Sequence, residues 1–375
     1  MSWIEALIKL PEPEPPEPPE PTIPIYGVYW DGTSTTQWTR TDSAKNFNNP
    51  NPYYLGMPDT PSSPFDDITP WSGMQIVEDA NAGTLVSIPK FWYKISQENN
   101  DIKIQIANQE VEGFNVSPAH MNRGDGVGER DVVYVGRYHC ADNTYKSTTN
   151  VNPKTNLGIV NMRTNVHNIG SDIWICDFAT RFTIWLLYLV EFANWNSQMC
   201  IGRGVGGDDS SKLRDLMGYT DSMPYHTGTT KNNRGTAGLG TQYRHIEGLW
   251  DNVMDLIDGG YYNNNQLYII LNPNQFTAAN SQSGGILIGT VSGGYPSKLT
   301  VKNIENTYPL FIPTTSSGSS NSYVCDTWYS YNQYLSGGGY YNNLEPQNVG
   351  LFAIKGVSNT SYYDYGTRLM KLPNS

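Results

Sequence analysis

The chain has 375 residues, a formal net charge of −11 and a pI near 4.9, a balance that excludes the basic face of a nucleic-acid binder. Only 38% of it is hydrophobic and 16% charged, with Asn, Ser, Thr, Gly and Tyr making up the difference, so a helical bundle is excluded in favour of a loop-rich fold. Its four cysteines (Cys140, Cys176, Cys200, Cys325) form no C-x-x-C, which excludes a zinc knuckle or a thioredoxin-type site and leaves reduced, buried thiols as the expectation.

The N-terminus reads as three pieces. Trp3, Ile4, Leu7 and Ile8 fall on one helical face and form a short apolar plug. Pro11–Pro21, "PEPEPPEPPEP", follows; fixed φ and repelling glutamates predict an extended rod of about 3 Å per residue. Residues 1–24 are therefore expected to be a tether that docks on a partner, and residues 25–375 the body. "MSWIEALIKL" lacks the basic n-region of a secretory signal.

"IPIYGVYW" predicts a strand, "DGTSTTQWTRTD" a turn into another, and Asn46 to Asp67 a long loop. "TLVSIPKFWYKI" (Thr84 to Ile95) and "DIKIQIA" (Asp101 to Ala107) alternate like a hairpin, and "RDVVYVGRYHC" reads as a strand buried on both sides. The strongest helix signal starts at Asp177, a good N-cap, and carries Phe178, Phe182, Trp185, Leu186, Leu189, Phe192 and Ala193 at helical spacing over about 18 residues. Its apolar run, Ile184 to Val190, is far shorter than the ~20 residues of a membrane span. "GLWDNVMDLIDGG" (Gly248 to Gly260) predicts a second, shorter helix through Trp250, Val253, Met254 and Ile257. Few helices, many short strands and long loops give an α+β class.

Motifs for bond chemistry are sparse. Gly202, Gly204 and Gly207 form G-x-G-x-x-G, but after a helix and before Asp208 and Asp209, which would repel a pyrophosphate; a glycine-rich loop is the expectation. The five histidines are scattered, and "RGD" at Arg123 to Asp125 is too short to carry meaning. Asp251, Asp255 and Asp258 would share one face of the second helix, either solvated or holding a structural calcium.

The C-terminal stretch is different. Asn321 to Tyr365 holds nine of the 26 tyrosines, together with six Asn, five Ser and five Gly, the composition of antibody-type paratopes. Tyr340–Tyr341 and Tyr362–Tyr363 sit among Gly and Asn with little apolar sequence to bury them, which predicts an exposed aromatic contact surface.

"VGLFAIKGVSN" followed by "YGTRLMKLP", with Gly350, Leu351, Phe352, Gly366, Arg368 and Leu369, resembles the C-terminal end of variable proteins of diversity-generating retroelements, which include phage tropism determinants. The stretch Thr183 to Gly204 and "GLWDNVMDLIDG" resemble core elements of that C-type-lectin-like fold and of its relatives around formylglycine-generating enzymes. "VYWDGTSTTQWTRTD", "LVSIPKFWYK", "FNVSPAH" and "ERDVVYVGRYHC" resemble stretches of gut-phage tail proteins of the same group. The resemblance implies a C-type-lectin-like body of short strands, two helices and long loops, with 321–373 as a variable ligand-binding region. By position it implies Tyr329, Tyr331, Asn332, Tyr334, Tyr340, Tyr341, Asn342, Asn343, Asn348, Asn359, Tyr362, Tyr363 and Tyr365 as contact residues over a fixed core of Leu351, Phe352, Leu369 and Leu372.

The function implied is host attachment by a phage tail protein: no catalytic residue, no cofactor beyond that calcium, a tail or baseplate partner at Trp3, Ile4, Leu7 and Ile8, a host-surface protein or glycan as ligand, a trimer or other homo-oligomer, and a place on the virion after synthesis in the host cytoplasm. Two rivals stand beside it. One is a carbohydrate-active or formylglycine-generating-like enzyme using a cleft of the same fold, with Asp251 and Asp255 or Cys325 as its chemistry; oxidases of that group use late cysteines, and here only Cys325 stands late in the chain. The other is a bacterial surface adhesin, against which the missing signal speaks.

Overall fold

The computed structural model describes residues 23–57, 60–204, 215–231, 239–276, 285–339 and 350–374. The plug residues Trp3, Ile4, Leu7 and Ile8, and the Pro/Glu segment, lie outside the described residues. The architecture is sheet-rich and mixed, of the broad α+β class, with three α-helices among the described residues: α1 (Ile159–His167), α2 (Phe178–Phe192) and α3 (Ser197–Cys200).

Helix α2 organises the core. The Asp177 side chain accepts from Thr180 N, as an N-cap should. At the other end Ala193 adopts φ 49° and its N–H returns to Leu189 O, a left-handed stop that ends the helix after 15 residues. Every residue of α2 is buried, so the apolar stripe predicted for one face extends around the whole helix. Its two charged residues are carried inside with partners: Arg181 donates to Leu249 O at 3.1 Å and to Leu351 O at 3.3 Å. Glu191 accepts from Ser63 Oγ at 2.7 Å, Tyr243 OH at 2.9 Å and Arg244 Nη2 at 2.5 Å. Arg123, in the "RGD" stretch that carried no meaning in sequence, is buried against Asp177 and pairs with its second oxygen.

Around α2 the strands form four larger sheets and one two-stranded ribbon. The first has Ile25–Trp30 between Thr39–Asp42 and Asp101–Ala107, the last of these pairing with Trp92–Glu98. The predicted hairpin is therefore real for Trp92–Glu98 and Asp101–Ala107. Gly83–Pro89, however, leaves for the second sheet, where it pairs with Val132–Gly136 and Ile76–Asp79. Pro89 has no N–H to give, and Lys90 N turns to Asp131 O, which divides the apolar run in two. The loop expected from Asn46 to Asp67 holds one two-residue strand, Tyr53–Tyr54.

The second predicted helix is not formed. Trp250 and Val253 lie in turns, and Met254–Asn263 is a ten-residue strand at the centre of a seven-stranded sheet. Both of its faces are buried over most of its length, so apolar residues stand at helical spacing by coincidence, and periodicity cannot separate the two cases. Gly259 sits at φ +67° where the register to Tyr334–Gly337 shifts, a bulge that a side chain would strain. Helix α1, which the sequence reading does not predict, buries Ile159, Met162 and Val166 at positions i, i+3 and i+7, a short stripe shared with the polar Arg163.

In that sheet the order is Ile286–Thr290, Gln266–Ile269, Met254–Asn263, Tyr334–Gly337, Ile354–Val357 and Trp328–Tyr329, with Tyr365–Thr367 running parallel to the start of Met254–Asn263. One hydrophobic cluster runs from Val28 to Leu372 and includes Leu351 and Phe352. Leu369 joins a second cluster with Ile159, Leu256, Tyr334 and Tyr365.

Candidate ligand-binding surface

Three turns meet at one end of the seven-stranded sheet. The first joins Met254–Asn263 to Gln266–Ile269 in register Asn263↔Gln266, leaving a two-residue loop of Asn264 (φ 50°) and Asn265 (φ 61°). Two consecutive left-handed residues match the strand twist, and Asn tolerates that conformation better than other side chains. The second turn, Ser330 to Gln333, connects Trp328–Tyr329 to Tyr334–Gly337. The third, Ser358 to Thr360, follows Ile354–Val357. They are tied together: Ser330 Oγ donates to Asn265 Oδ1 at 2.9 Å, Tyr262 N to Gln333 O at 2.7 Å, and Asn332 Nδ2 to Gly356 O at 3.4 Å. Asn359 Oδ1 accepts from Val160 N at 3.4 Å, at the start of α1, whose own N-cap is Gly158 and offers no side chain.

Between these turns lies a cleft of about 790 Å3. Its described lining consists of side-chain amides, hydroxyls and three tyrosines, and no Asp, Glu, Lys, Arg or His is among the described lining residues. Tyr331, 64% exposed, stacks on Tyr329 with ring centroids 5.2 Å apart, so a flat aromatic face stands at the cleft edge.

The contact residues inferred from sequence divide into four groups. Tyr331, Asn332 and Asn359 are exposed and line the cleft, and Tyr329 is half-buried behind Tyr331. Tyr362 and Tyr363 are exposed, at 50% and 37%, further along the loop after Ile354–Val357. Tyr334 and Tyr365 are buried rings, although Tyr334 still borders the cleft as part of its lining. Tyr334 begins a strand flanked on both sides, and Tyr365 pairs beside Met254; both pack in the cluster of Leu256 and Val357. Tyr340, Tyr341, Asn342, Asn343 and Asn348 lie outside the described residues.

The described flanks of that last segment are firmly held. Gly339 N bonds to Trp250 O and Gly338 N to Ala353 O. On the other side Asp326 accepts from Gly350 N at 2.8 Å and Phe352 N at 2.9 Å. Leu351 N bonds to Ser197 Oγ, and Leu351 O takes Trp185 Nε1 at 2.9 Å. Asp326 is buried, and burial pushes its carboxyl up to about 7 against the pull of those two N–H groups.

Asn263, Asn264 and Asn265 are cleft residues that sequence reasoning missed. The signal was present: "YYNNNQLYI" places an Asn–Asn pair between two β-rich runs, a hairpin signature hidden by the neighbouring helical reading.

Ionisable groups converge elsewhere, in the core. Asp251 accepts from Tyr219 OH at 2.5 Å and from Thr241 N and Oγ1 at 2.8 Å each. Asp255 faces Arg181 at 3.6 Å, Arg368 at 3.7 Å and His139 at 3.8 Å. Asp258 takes a bidentate pair of 2.7 Å bonds from Arg163 on α1. The shared acidic helix face is thus replaced by three separate, individually partnered carboxylates. Among the described residues no group of three or more His, Cys, Asp or Glu could hold a metal ion.

No thiol pair is activated. All four cysteines are free, with Cys140, Cys176 and Cys325 buried. Cys200 and Cys325 both lie near the buried Tyr188, but burial pushes Cys200 up to about 11 and Cys325 well above its ordinary value, opposite to what a nucleophilic thiol requires. Burial likewise lowers His120 to about 4 and His245 to about 3, so both rings are neutral at pH 7. Two other concavities, about 210 Å3 by Gln37 and Cys200 and about 570 Å3 by Leu55 and Asp221, stand apart from the tyrosine surface. No helix among the described residues is long and apolar enough to cross a membrane. No protein-family model matches the chain, and no curated protein matches it.

Proposed function

We propose that this chain is a phage tail-associated receptor-binding protein, with a C-type-lectin-like body that presents the 321–373 region to a host-surface ligand. The observation that carries the reading is the cleft at the sheet end, uncharged among its described lining residues and edged by exposed Tyr331, with Tyr362 and Tyr363 exposed two and three positions beyond Thr360 of its lining. Rigid aromatic rings give contact area at low entropy cost, while Asn, Ser and Thr adapt their hydrogen bonds to the partner. Asp, Glu, Lys and His, the usual general acids and bases, are absent from the described lining residues, whose titratable groups are Tyr262, Tyr331 and Tyr334.

In this reading the plug around Trp3, Ile4, Leu7 and Ile8 fixes the chain to the tail or baseplate and the Pro/Glu rod holds the body away from it. Display of several copies, as in a trimer, multiplies a weak single contact by factors of about 10² to 10⁴.

Adsorption of the labelled full chain to a panel of bacterial strains tests the proposal. A Tyr331→Ala/Tyr362→Ala/Tyr363→Ala variant should lose adsorption to the strains that bind the parent, with Tm within about 2 °C. Retained adsorption, or adsorption of the parent to no strain, sinks it.

A further inference from the structure

We propose that the cleft between the three turns is a binding site for a neutral glycan. This rests on the preceding reading that the sheet end is the ligand surface, and it chooses among the ligands that surface could take.

The first reason is charge. The chain carries a net −11, and no cation stands among the described lining residues to offset it, so an acidic polysaccharide or a phosphate-bearing ligand meets a repulsive field with no partner there. With no carboxylate among the described lining residues either, a basic peptide finds no counter-charge there. A neutral ligand is the class that loses nothing here.

The second reason is hydrogen-bond type. Side-chain amides supply donor and acceptor together, and hydroxyls do the same, which matches the dual character of a sugar hydroxyl. Six of the lining residues are Asn or Gln and three are Ser or Thr. Several are fixed before any ligand arrives: Asn265 is held by Ser330 Oγ and by its left-handed turn, Asn332 by Gly356 O and Asn359 by Val160 N. Preorganisation of this kind lowers the entropy lost on binding.

The third reason is shape. A pyranose has one face of C–H groups, and the Tyr331 ring, backed by Tyr329 at 5.2 Å, offers a flat apolar partner beside the polar floor. The volume of about 790 Å3 lies inside the ~300–1,000 Å3 range of small-ligand pockets, large enough for a short oligosaccharide. A protein partner would instead need about 800 Å2 of surface per side with an apolar centre.

The experiment uses the labelled full chain and a strain to which it adsorbs. Cells are treated with periodate, which cleaves vicinal diols, or with protease, and adsorption is also read from about 0.05 M to about 0.5 M NaCl. An array of neutral and acidic bacterial glycans is probed in parallel with the parent and with Asn265→Ala, Asn332→Ala and Tyr331→Ala. The proposal expects loss after periodate, survival after protease, little salt dependence, and array binding to neutral glycans. Each amide variant should weaken array binding by about three- to tenfold, and Tyr331→Ala by about tenfold. Loss after protease with survival after periodate identifies a protein ligand and overturns the glycan assignment while leaving the attachment reading intact. Preference for acidic glycans with strong salt dependence overturns it in the same way. Adsorption to no strain and to no glycan overturns the attachment reading and this proposal together.

Discussion

Asp326 is the anchor most open to a quantitative test. Its two oxygens hold Gly350 N and Phe352 N, and the residue is only 2% exposed. Burial raises its carboxyl to about 7, whereas an unfolded Asp titrates near 4. A carboxyl that holds its proton more tightly when folded stabilises the fold below the unfolded pKa, and that contribution is lost as pH rises through the folded value. About three pH units at about 1.4 kcal/mol each gives a loss on the order of 4 kcal/mol between about pH 4 and about pH 8. Asp326→Asn keeps the size but cannot titrate, and it leaves one of the two N–H groups facing an amide N–H, at about 1–3 kcal/mol. The parent should therefore be the more stable chain near pH 4 and should lose that lead, or fall behind, near pH 8. Urea unfolding of both chains across this range reads the difference directly. A parent-minus-variant stability that stays constant with pH refutes the assignment of a buried, proton-holding Asp326.

Arg163→Ala removes both 2.7 Å bonds to Asp258 and leaves a buried carboxylate without its cation, held only by Gly259 N at 3.0 Å among its described donors, so chemical unfolding should register a loss of about 3–5 kcal/mol. Tyr334→Ala should cost about 3–5 kcal/mol in the same assay, because that ring is core, whereas Tyr331→Ala should stay within about 0.5 kcal/mol. In a thiol-reagent titration near pH 7, Cys140, Cys176 and Cys325 should react only after urea is added, and Cys200, raised to about 11, should react slowly in the native chain.

Much of the scaffold was legible because its signals are local. Asp177 announces the start of α2, and the alternation in Asp101–Ala107 announces its strand; both are set by neighbours in sequence. Met254–Asn263 failed for a physical reason: burial on both faces erases the period-2 pattern, and two glycines at a bulge do not resemble a strand interior. The aromatic surface was half legible. Composition marked the region, but which rings face water depends on strand pairing, and this turns Tyr334 and Tyr365 inward while Tyr331 and Tyr362 remain out. The asparagine hairpin that completes the cleft comes from a part of the chain 65 positions away, and only the fold brings it to Ser330.

The central claim is that one surface, at the sheet end, does the binding. An alanine scan of the exposed residues of the whole body, read as adsorption to a strain that binds the parent, tests it most directly. Loss confined to residues 263–265, 329–333 and 358–363 is the predicted result. Loss clustered instead at the crevice of Gln37 and Cys200, or at that of Leu55 and Asp221, would contradict it.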